Sequence, residues 1–473
     1  MYDIAIIGCG VIGAALAYEL SKYELNIVVL EKENDVSCGT TKANSAIIHA
    51  GYDPEPGTLM ALLDAKGNRL CKEIFEKLDV PHKNCGSFVL AFDDNDVKTL
   101  DRLKEKGDIN GVRTEIWDRD RVLSLEPNLN PHIKAALYAP DAMITSPWEF
   151  ALALAECAVN NGVTLRLGHE VLDIDKSGDF YSIKTNNGEV KASVIFNAAG
   201  LYADKIHAMV KEPTFTITPR KGEYYLLDKS EGTVVNSVIF QCPTAEGKGV
   251  LVAPTVHGNL IVGPSNEDVD SPNNLSNTAE GLDFVLNSAE KSVPNLNLRA
   301  NIRNFSGNRA RSTRRDFIIE ESDKNFFDLA GIDSPGLSSA PAIAVYAVEL
   351  LEKNRNLIKK TDFKEKRKLI RFEGLSQEEK AELITQNPLY GRIICRCEII
   401  TEGEIRDTFK TPIPPKSIDG VKRRVGAGSG RCQGGFCGPR VLEILAEELN
   451  INPTEVLQDS HNTYILTKET KEI

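Results

Sequence analysis

The stretch Gly8-Cys9-Gly10-Val11-Ile12-Gly13 lies between two segments with different hydrophobic periodicity. Before it, residues 3–7 form a short apolar run. After it, residues 14–22 carry apolar side chains at helical spacing. A second apolar run follows at 26–31 and ends in Glu31. The order strand, helix, strand predicts a βαβ unit and therefore a parallel sheet.

The spacing of the three glycines predicts a dinucleotide site. Gly8 permits the tight turn, Gly10 lets the backbone approach a pyrophosphate, and Gly13 lets helix and strand pack closely. The N-terminus of the following helix favours the charge of the phosphates. Glu31 is placed to accept hydrogen bonds from ribose hydroxyls. The sequence contains no second motif of this kind, as a separate nicotinamide-binding unit would require.

A turn late in the chain points to the type of dinucleotide. Residues 334–338 (Ser-Pro-Gly-Leu-Ser) precede a predicted helix over about 340–352. The backbone N–H groups of Gly336, Leu337 and Ser338, with this helix N-terminus, would stabilise the negative charge of a reduced flavin near N1 and O2. Together with the amino-terminal motif, this turn favours FAD over NAD.

Composition excludes several classes of protein. The 473 residues include 68 acidic and 56 basic side chains, and the formal charge of -12 disfavours a nucleic-acid binder. The sequence contains no run of 18 or more apolar residues, which a membrane-spanning helix would require. The amino terminus has the pattern of a strand and not of a signal peptide, so we expect a cytoplasmic protein whose ten cysteines form no disulfide framework.

The order of the predicted elements indicates three parts. We expect an α/β, Rossmann-like FAD-binding domain and an inserted α+β substrate domain with an antiparallel sheet. The clustered cysteines Cys395, Cys397, Cys432 and Cys437 add a small C-terminal iron–sulfur domain. The segment 353–372 holds nine Lys or Arg and two Asp or Glu, and its charge predicts a solvated tether. The predicted boundaries are 1–80 plus 145–215 plus 325–352 for the FAD-binding domain, 81–144 plus 216–324 for the substrate domain, 353–388 for the linker, 389–455 for the iron–sulfur domain and 456–473 for a tail.

Four of the ten cysteines are clustered near the C-terminus. Cys395 and Cys397 form a C-x-C pair, and Cys432 and Cys437 form a C-x4-C pair. Four thiolates can hold a [2Fe–2S] cluster or a tetrahedral zinc ion. Zinc sites favour C-x2-C pairs, so the spacing favours iron and sulfur and leaves zinc as the alternative. Most of the other cysteines are expected to be small buried hydrophobic residues, namely Cys9, Cys71, Cys85, Cys157 and Cys242, whereas Cys38 lies near the predicted flavin segment.

Several segments resemble a known family of flavoenzymes. Residues 39–52, 197–204, 219–225, 254–264 and 305–309 are similar to the D-amino-acid-oxidase-like enzymes. They are most similar to the branch of FAD-dependent glycerol-3-phosphate dehydrogenases and oxidases and L-2-hydroxyglutarate oxidases. The cysteine set resembles the bacterioferritin-associated-ferredoxin-like [2Fe–2S] domain of anaerobic glycerol-3-phosphate dehydrogenase catalytic subunits.

The resemblance implies roles for particular residues. His49 lies in the segment that passes over the flavin in relatives, and is expected to act as the base or to orient the substrate. Arg309 matches the family's Gly-x-Arg position and is expected to clamp an anionic group. Lys221 is a second candidate cation, and the nearby Arg311, Arg314 and Arg315 are expected to form a solvated loop. The resemblance also implies that FAD is contacted by Thr40, Thr41, Asn44, Ser45, Ala199 and Gly200.

The implied function is a dehydrogenase that oxidises sn-glycerol 3-phosphate to dihydroxyacetone phosphate. A hydride would go to flavin N5, and the electrons would then pass through the cluster to an acceptor protein or a quinone-linked subunit. An L-2-hydroxy acid or an amino acid is the alternative substrate. A zinc-bearing flavoprotein that serves electron transfer or assembly without turnover is the alternative of another class.

Overall fold

The computed structural model describes residues 1–243, 249–468 and 470–471, which form two large sheets, two small sheets and twelve α-helices. The strands are β1 (Tyr2–Ile7), β2 (Ile27–Glu31), β3 (Ile47–Ile48), β4 (His82–Asn84), β5 (Ser87–Ala91), β6 (Glu115–Asp118), β7 (Ala135–Ala139), β8 (Met143–Thr145), β9 (Thr164–Leu167), β10 (Val171–Ser177), β11 (Phe180–Thr185), β12 (Gly188–Asn197), β13 (Ile217–Leu227), β14 (Val238–Gln241), β15 (Leu251–Pro254), β16 (Leu260–Gly263), β17 (Glu267–Asp268), β18 (Asn301–Ser312), β19 (Ile318–Asp323), β20 (Phe326–Ala330), β21 (Ile393–Cys395) and β22 (Ile400–Thr401). The helices are α1 (Val11–Leu20), α2 (Leu59–Lys77), α3 (Asp94–Ile109), α4 (Arg119–Leu125), α5 (Pro147–Asn160), α6 (Ala203–Ala208), α7 (Ala279–Ala289), α8 (Gly336–Glu352), α9 (Gln377–Gln386), α10 (Glu402–Asp407), α11 (Ile418–Val425) and α12 (Gly438–Leu449).

The first large sheet is built on the predicted βαβ unit. Its parallel strands lie in the order β20, β12, β1, β2 and β9, and three antiparallel strands (β10, β11 and β19) extend it. Helices α1, α5 and α8 pack together on one face and enclose the largest apolar core, since α1 is apolar on nearly every side. The carboxyl ends of β1, β2 and β12 therefore meet at one edge, where ligands bind in such folds.

The second large sheet has nine strands, and all its pairings are antiparallel except that of β5 with β14. Both faces of this sheet are buried, and successive side chains of each strand alternate between the two faces. On β5, Phe88 and Leu90 enter one core, whereas Val89 and Ala91 enter the other. The long strands β13 and β18 pair over almost their full length and carry this sheet to the edge of the first one.

The C-terminal module has its own small core. Helices α10, α11 and α12 and the hairpin β21–β22 bury residues that include Ile405, Val421 and Leu445. Helix α11 ends at Gly426, whose φ of +77° is the left-handed conformation that a glycine adopts at little cost. No helix in the described parts of the chain combines the length and the apolar character that a membrane crossing requires.

The basic segment before this module is fixed to the protein surface. The Arg367 guanidinium lies 2.6 Å from Glu156 Oε2, and the Arg371 guanidinium lies 2.8 Å from Asp79 Oδ2. The Phe363 ring packs edge-on against Tyr18, with 6.0 Å between the ring centroids. The segment is therefore not a free tether, because acidic side chains of the first two hundred residues pair with part of its positive charge. Its other basic residues are largely solvated as predicted, since Lys353, Lys359, Lys364, Lys366 and Lys368 are exposed.

Candidate active site and four-cysteine centre

A cavity of about 1510 Å³ lies where the carboxyl ends of the parallel strands meet the second sheet. It exceeds the roughly 300–1,000 Å³ of typical small-molecule sites, as an extended dinucleotide requires. Most of the residues predicted to bind FAD or substrate line it, namely Gly8, Gly10, Glu31, Thr40, Thr41, Asn44, Ser45, His49, Ala199, Gly200, Arg309, Gly336 and Leu337. Gly13 and Ser338 do not line it.

The three glycines differ in what surrounds them. Gly8 has a φ of +98°, and a Cβ there would lie 2.7 Å from the Ala198 carbonyl oxygen. A Cβ on Gly13 would lie 2.0 Å from the Gly8 carbonyl oxygen, so only glycine lets α1 pack this closely on the turn. A Cβ on Gly10 would meet only the Thr41 side chain, at 3.2 Å. Gly10 is therefore the glycine that leaves open space on the cavity side.

Glu31 and Thr41 hold the backbone of this turn. Glu31 Oε2 accepts a hydrogen bond from the Cys9 N–H at 2.7 Å, and Thr41 Oγ1 accepts one from the Val11 N–H at 3.0 Å. Burial raises the pKa of Glu31, and the N–H donors of Glu33 and Cys9 oppose that effect. The ribose contact of Glu31 stays a prediction that is consistent with its place in the cavity wall.

The segment after β2 joins the two sheets around the cavity. Thr40 Oγ1 donates to the Asn308 carbonyl oxygen at 2.7 Å, and Ser45 Oγ lies 3.1 Å from Tyr224 Oη. The neighbouring Asn44 side chain donates to the Thr41 carbonyl oxygen at 2.8 Å. These contacts fix a loop whose other atoms line the cavity.

His49 sits on the cavity wall at the end of β3. Its ring stacks on Phe240 with 5.8 Å between centroids and 27° between planes. Its carbonyl oxygen accepts a hydrogen bond from Asn68 Nδ2 at 2.9 Å. The same amide donates to the Asp141 carbonyl oxygen at 2.9 Å, so a side chain of α2 fixes the backbone of His49.

The two predicted substrate cations, Arg309 and Lys221, lie in different places in the structure. Arg309 lines the cavity, and its Nη2 donates to the Ser265 carbonyl oxygen at 3.1 Å and to Asn266 Oδ1 at 3.2 Å. Lys221 instead lies in a buried ion pair, 3.0 Å from Glu223 Oε1, and does not reach the cavity. The interpretation of Lys221 as a second substrate cation is therefore wrong, because its strand directs it away from the cavity.

The three further arginines also differ in position. Arg311 lines the cavity and lies 3.7 Å from Asp268 Oδ2, so it is not part of a purely solvated loop. Arg314 pairs with Glu320 at 2.9 Å outside the cavity, and Arg315 is exposed. Arg220, which also lines the cavity, pairs with Asp268 through two hydrogen bonds of 2.6 and 2.9 Å.

The turn before α8 only partly matches its prediction. The helix begins at Gly336, earlier than the spacing of apolar residues indicates. Gly336 and Leu337 line the cavity, but the Ser338 hydroxyl is fully buried and donates to Asp64 Oδ1 at 2.6 Å. The side chain of Ser338 therefore anchors the turn to α2 and does not face the cavity.

Sequence reasoning missed several residues of the cavity wall. They include Tyr224, Phe240, Leu251, Ser265, Asn266, Asp333 and Ser460. The Tyr224 ring stacks on Phe305 at 4.7 Å. Tyr224 lies in the segment 219–225 that resembles the family, but nothing in the local pattern shows that it faces the cavity. Ser460 belongs to the segment predicted to be a tail and could only be found from the tertiary fold.

The four clustered cysteines come together as two pairs. Cys397 Sγ lies 3.8 Å from Cys432 Sγ, and Cys395 is hydrogen-bonded to Cys437. Two thiolates on one tetrahedral metal at about 2.3 Å lie roughly 3.8 Å apart, so each pair suits one iron. Among the described residues, no three Cys, His, Asp or Glu side chains converge as one metal ion would require. Two pairs fit a binuclear cluster better than a single zinc ion.

The surroundings of one sulfur atom in each pair favour the thiolate, whereas the pKa of its partner, Cys437 or Cys397, is raised. The hydrogen bond from Cys437 and, to a smaller extent, the N–H groups of Gly428 and Glu398 lower the pKa of Cys395 to about 6, against the effect of burial. The Phe436 N–H is the main cause that lowers the pKa of Cys432. Backbone donors of the glycine-rich loop therefore stabilise negative charge on sulfur.

The scattered cysteines follow their prediction except for one. Cys9, Cys71, Cys157 and Cys242 are buried, whereas Cys85 is only partly buried. Cys38 lines the cavity, and burial raises the pKa of its thiol to about 12.

The fold, the glycine turn and the cavity define an FAD-dependent oxidoreductase. Residues 3–350 match the model of the FAD dependent oxidoreductase family, and the chain belongs to that family. Residues 393–447 match the BFD-like [2Fe-2S] binding domain. The cofactors are therefore FAD and a [2Fe–2S] cluster, and the residues of the cavity and the two cysteine pairs fit them. The predicted fold class and family resemblance are confirmed.

Three known proteins show how specific the similarity is. Glycerol 3-phosphate dehydrogenase of Caloramator mitchellensis is 53% identical over 479 residues, which span 100% of this chain and 99% of that protein. L-2-hydroxyglutarate dehydrogenase of Escherichia coli (strain K12) is 31% identical over 271 residues, or 56% of this chain and 64% of that protein. The solved structure of dithionite-reduced L-alpha-glycerophosphate oxidase from Mycoplasma pneumoniae with FAD bound is 34% identical with a TM-score of 0.75. This match covers 78% of the present chain and 99% of the oxidase chain.

Proposed function

We propose that this protein is a dehydrogenase that oxidises sn-glycerol 3-phosphate to dihydroxyacetone phosphate. The observation that carries the proposal is the 53% identity with a glycerol 3-phosphate dehydrogenase over the whole chain, C-terminal module included. The cavity supports it, because a histidine and an arginine line the same space as the glycine turn.

Arg309 is proposed to bind the phosphate of the substrate. A guanidinium binds phosphate oxygens through parallel, charge-assisted hydrogen bonds. Nε and Nη2 of Arg309 donate hydrogen bonds to oxygen atoms of residues 220, 221, 265 and 266. Among the described residues, Nη1 of Arg309 makes no hydrogen bond. The side chain is therefore held in place with one nitrogen left for an anion.

His49 is proposed to take the proton of the substrate hydroxyl. When bound, FAD accepts a hydride from a carbon that bears a hydroxyl group. A neutral imidazole can accept the hydroxyl proton as the C–H bond breaks, and the carbon becomes the ketone carbon of the product. The stack on Phe240 and the Asn68 hydrogen bond keep His49 at one place in the wall.

The C-terminal module is proposed to deliver electrons to an external acceptor. A [2Fe–2S] cluster held by the two cysteine pairs supplies one-electron transfer. Cys395 and Cys437 are buried, whereas Cys397 is exposed and the neighbouring Phe436 is 89% exposed. An acceptor protein or a quinone-linked subunit would reach the cluster from the side of Cys397. We propose a cytoplasmic location, with any membrane contact made through that partner.

An L-2-hydroxy acid is the second candidate substrate. The observation that favours it is the 31% identity with an L-2-hydroxyglutarate dehydrogenase over 56% of this chain. That match is shorter and weaker than the match with the glycerol 3-phosphate enzyme. A carboxylate would occupy the same Arg309 clamp, so the two substrates compete for one site.

Anaerobic bleaching of the flavin tests the proposal. The holoprotein is mixed separately with glycerol 3-phosphate, L-2-hydroxyglutarate, lactate and several amino acids, and absorbance is followed by stopped flow. We expect glycerol 3-phosphate to bleach the flavin fastest. Faster bleaching by L-2-hydroxyglutarate would make the L-2-hydroxy acid the substrate. If no compound bleaches the flavin, the alternative of a flavoprotein without substrate turnover is favoured.

Two histidine variants identify the base. His49→Gln should slow bleaching by about 10²–10⁴-fold, the usual contribution of a general base, without loss of FAD. His132→Gln, at an exposed histidine, is the matched control and should behave as the wild type. Equal rates for the two variants would remove His49 from the mechanism.

A further inference from the structure

Buried charges join the C-terminal module to the FAD-binding part of the chain. Asp35 follows β2, and its side chain is 1% exposed. Arg424 of α11 donates to both of its carboxylate oxygens, at 2.8 and 2.9 Å, and Arg423 donates at 3.0 Å. A carboxylate of one module is therefore enclosed by two guanidinium groups of the other.

The segment after the module adds a second carboxylate to this set. Asp459 Oδ1 accepts from Arg423 Nη1 at 2.7 Å, and Asp459 Oδ2 accepts from Lys42 Nζ at 2.7 Å. The Asp459 carbonyl oxygen accepts from Asn34 Nδ2 at 2.6 Å. We name Lys42, Asp35, Arg423, Arg424 and Asp459 the ion cluster. It binds the loop 32–42 to the C-terminal part of the chain.

The same loop forms part of the wall of the FAD cavity. Residues 32, 33 and 38–42 line it, and Ser460, next to Asp459, lines it too. Thr41 also holds the glycine turn through the Val11 N–H. One loop thus contacts the cofactor space on one side and the iron–sulfur module on the other.

Asp35 depends on the module for its charge partners. Besides the two arginines, the only hydrogen-bond donor to its carboxylate among the described residues is the Val36 N–H, at 2.9 Å. Burial alone would raise the pKa of Asp35, but the charges and hydrogen bonds of Arg424 and Arg423 outweigh it and lower the pKa. Without the module, the carboxylate would be buried and unpaired or would have to turn out to water, and the loop would change with it.

We propose that the ion cluster couples FAD binding to docking of the iron–sulfur module, so that each stabilises the other through the loop 32–42. The ion-cluster residues are positioning residues and take no part in chemistry. Coupling between two binding events is reciprocal: if the docked module strengthens FAD binding, FAD must strengthen docking by the same factor. The proposal rests on FAD occupying this cavity and is independent of the substrate.

FAD titration of the full chain, stripped of FAD and retaining its cluster, provides the first test. Flavin fluorescence quenching gives the Kd for the wild type and for Asp35→Asn and Asp459→Asn. Each variant should raise the FAD Kd by about 5- to 150-fold, the usual range for coupled sites. Glu443→Gln removes an exposed ion pair with Arg440 in the same module and should leave the Kd unchanged.

Hydrogen–deuterium exchange separates coupling from a general loss of stability. In the wild type and in the Glu443→Gln control, FAD should slow amide exchange in 418–425. In Asp35→Asn it should still slow exchange at 8–13 but not at 418–425. An unchanged Kd, or equal FAD protection of 418–425 in variant and wild type, would overturn the proposal. Should Asp35→Asn fail to fold, Asp459→Asn, whose side chain is 20% exposed, decides by the same two measurements.

Discussion

Substitution of the glycines at the amino-terminal turn separates packing from cofactor binding. In Gly13→Ala, the new Cβ would lie 2.0 Å from the Gly8 carbonyl oxygen, against the roughly 3.5–4.0 Å of an unstrained contact. Helix α1 would therefore have to retreat by about 1.5 Å or more to restore that spacing. Helices α5 and α8 already pack against α1 and resist this shift. Overpacking of a core costs about 1–3 kcal/mol, and we expect the upper part of that range.

Gly10→Ala is the matched variant in the same turn. Its Cβ would meet only Thr41 Oγ1 at 3.2 Å, and the φ of -71° at Gly10 suits alanine. The stability of the FAD-free protein should therefore change by less than about 1 kcal/mol. The methyl group fills space beside the predicted pyrophosphate, so the FAD Kd should rise about tenfold or more, or about 1.4 kcal/mol.

Two measurements decide between these roles. Urea unfolding followed by circular dichroism, with and without FAD, gives the midpoints, and fluorescence titration gives the FAD Kd. Gly13→Ala should have a lower urea midpoint than the wild type whether or not FAD is present. Gly10→Ala should have the wild-type midpoint without FAD and a lower midpoint than the wild type when FAD is added to both. The reasoning is refuted if FAD-free Gly13→Ala is as stable as the wild type, or if FAD-free Gly10→Ala is destabilised equally.

Three further predictions follow from the site. Since the pKa of Cys38 is about 12, only about one thiol in ten thousand is ionised at pH 8. Its alkylation, followed by peptide mass spectrometry, should then rise about tenfold per pH unit up to pH 11, and rapid labelling at pH 8 would contradict this. Lys221→Met should cost about 3–5 kcal/mol of stability, because the buried Glu223 carboxylate keeps the hydrogen bonds of Thr278 but loses its buried cation, and KM for glycerol 3-phosphate should be unchanged. Arg309→Met should instead raise KM by roughly 10- to 100-fold, because the substrate loses a charged hydrogen bond. A raised KM in Lys221→Met with an unchanged KM in Arg309→Met would make Lys221, and not Arg309, the residue that binds the substrate. Cys397→Ser should lose the iron and its absorption while keeping FAD, whereas Cys85→Ser should keep both, and iron retained in full by the first would show that Cys397 is not a required ligand.

Local patterns were sufficient where the physics is local. The turn at Gly8 and the close packing at Gly13 involve neighbouring elements, so the spacing of the glycines predicts them. The C-x-C and C-x4-C pairs likewise bring their own sulfur atoms near one another through short loops. Helix α9 begins at Gln377 with a capping box formed by Ser376 and Glu379, which are three residues apart in the sequence.

The errors concern side chains whose direction depends on distant partners. Lys221 and Arg309 lie on paired strands, and only their place in the sheet decides which one reaches the cavity. The Ser338 hydroxyl donates to Asp64 of α2, a partner that no pattern near Ser338 indicates. The basic segment was predicted to be solvated because its partners, such as Glu156, are some two hundred residues away.

By itself the sequence determined the βαβ unit, the dinucleotide turn, the family of the first 350 residues and the presence of an iron–sulfur module with four clustered cysteines. Each of these depends on contacts between near neighbours or on a motif that remains intact in one stretch of chain. Only the tertiary structure decided which cations face the cavity and how the C-terminal module is held. Asp35 and Arg424 are 389 residues apart, and their pairing depends on the packing of whole domains, for which no local pattern exists.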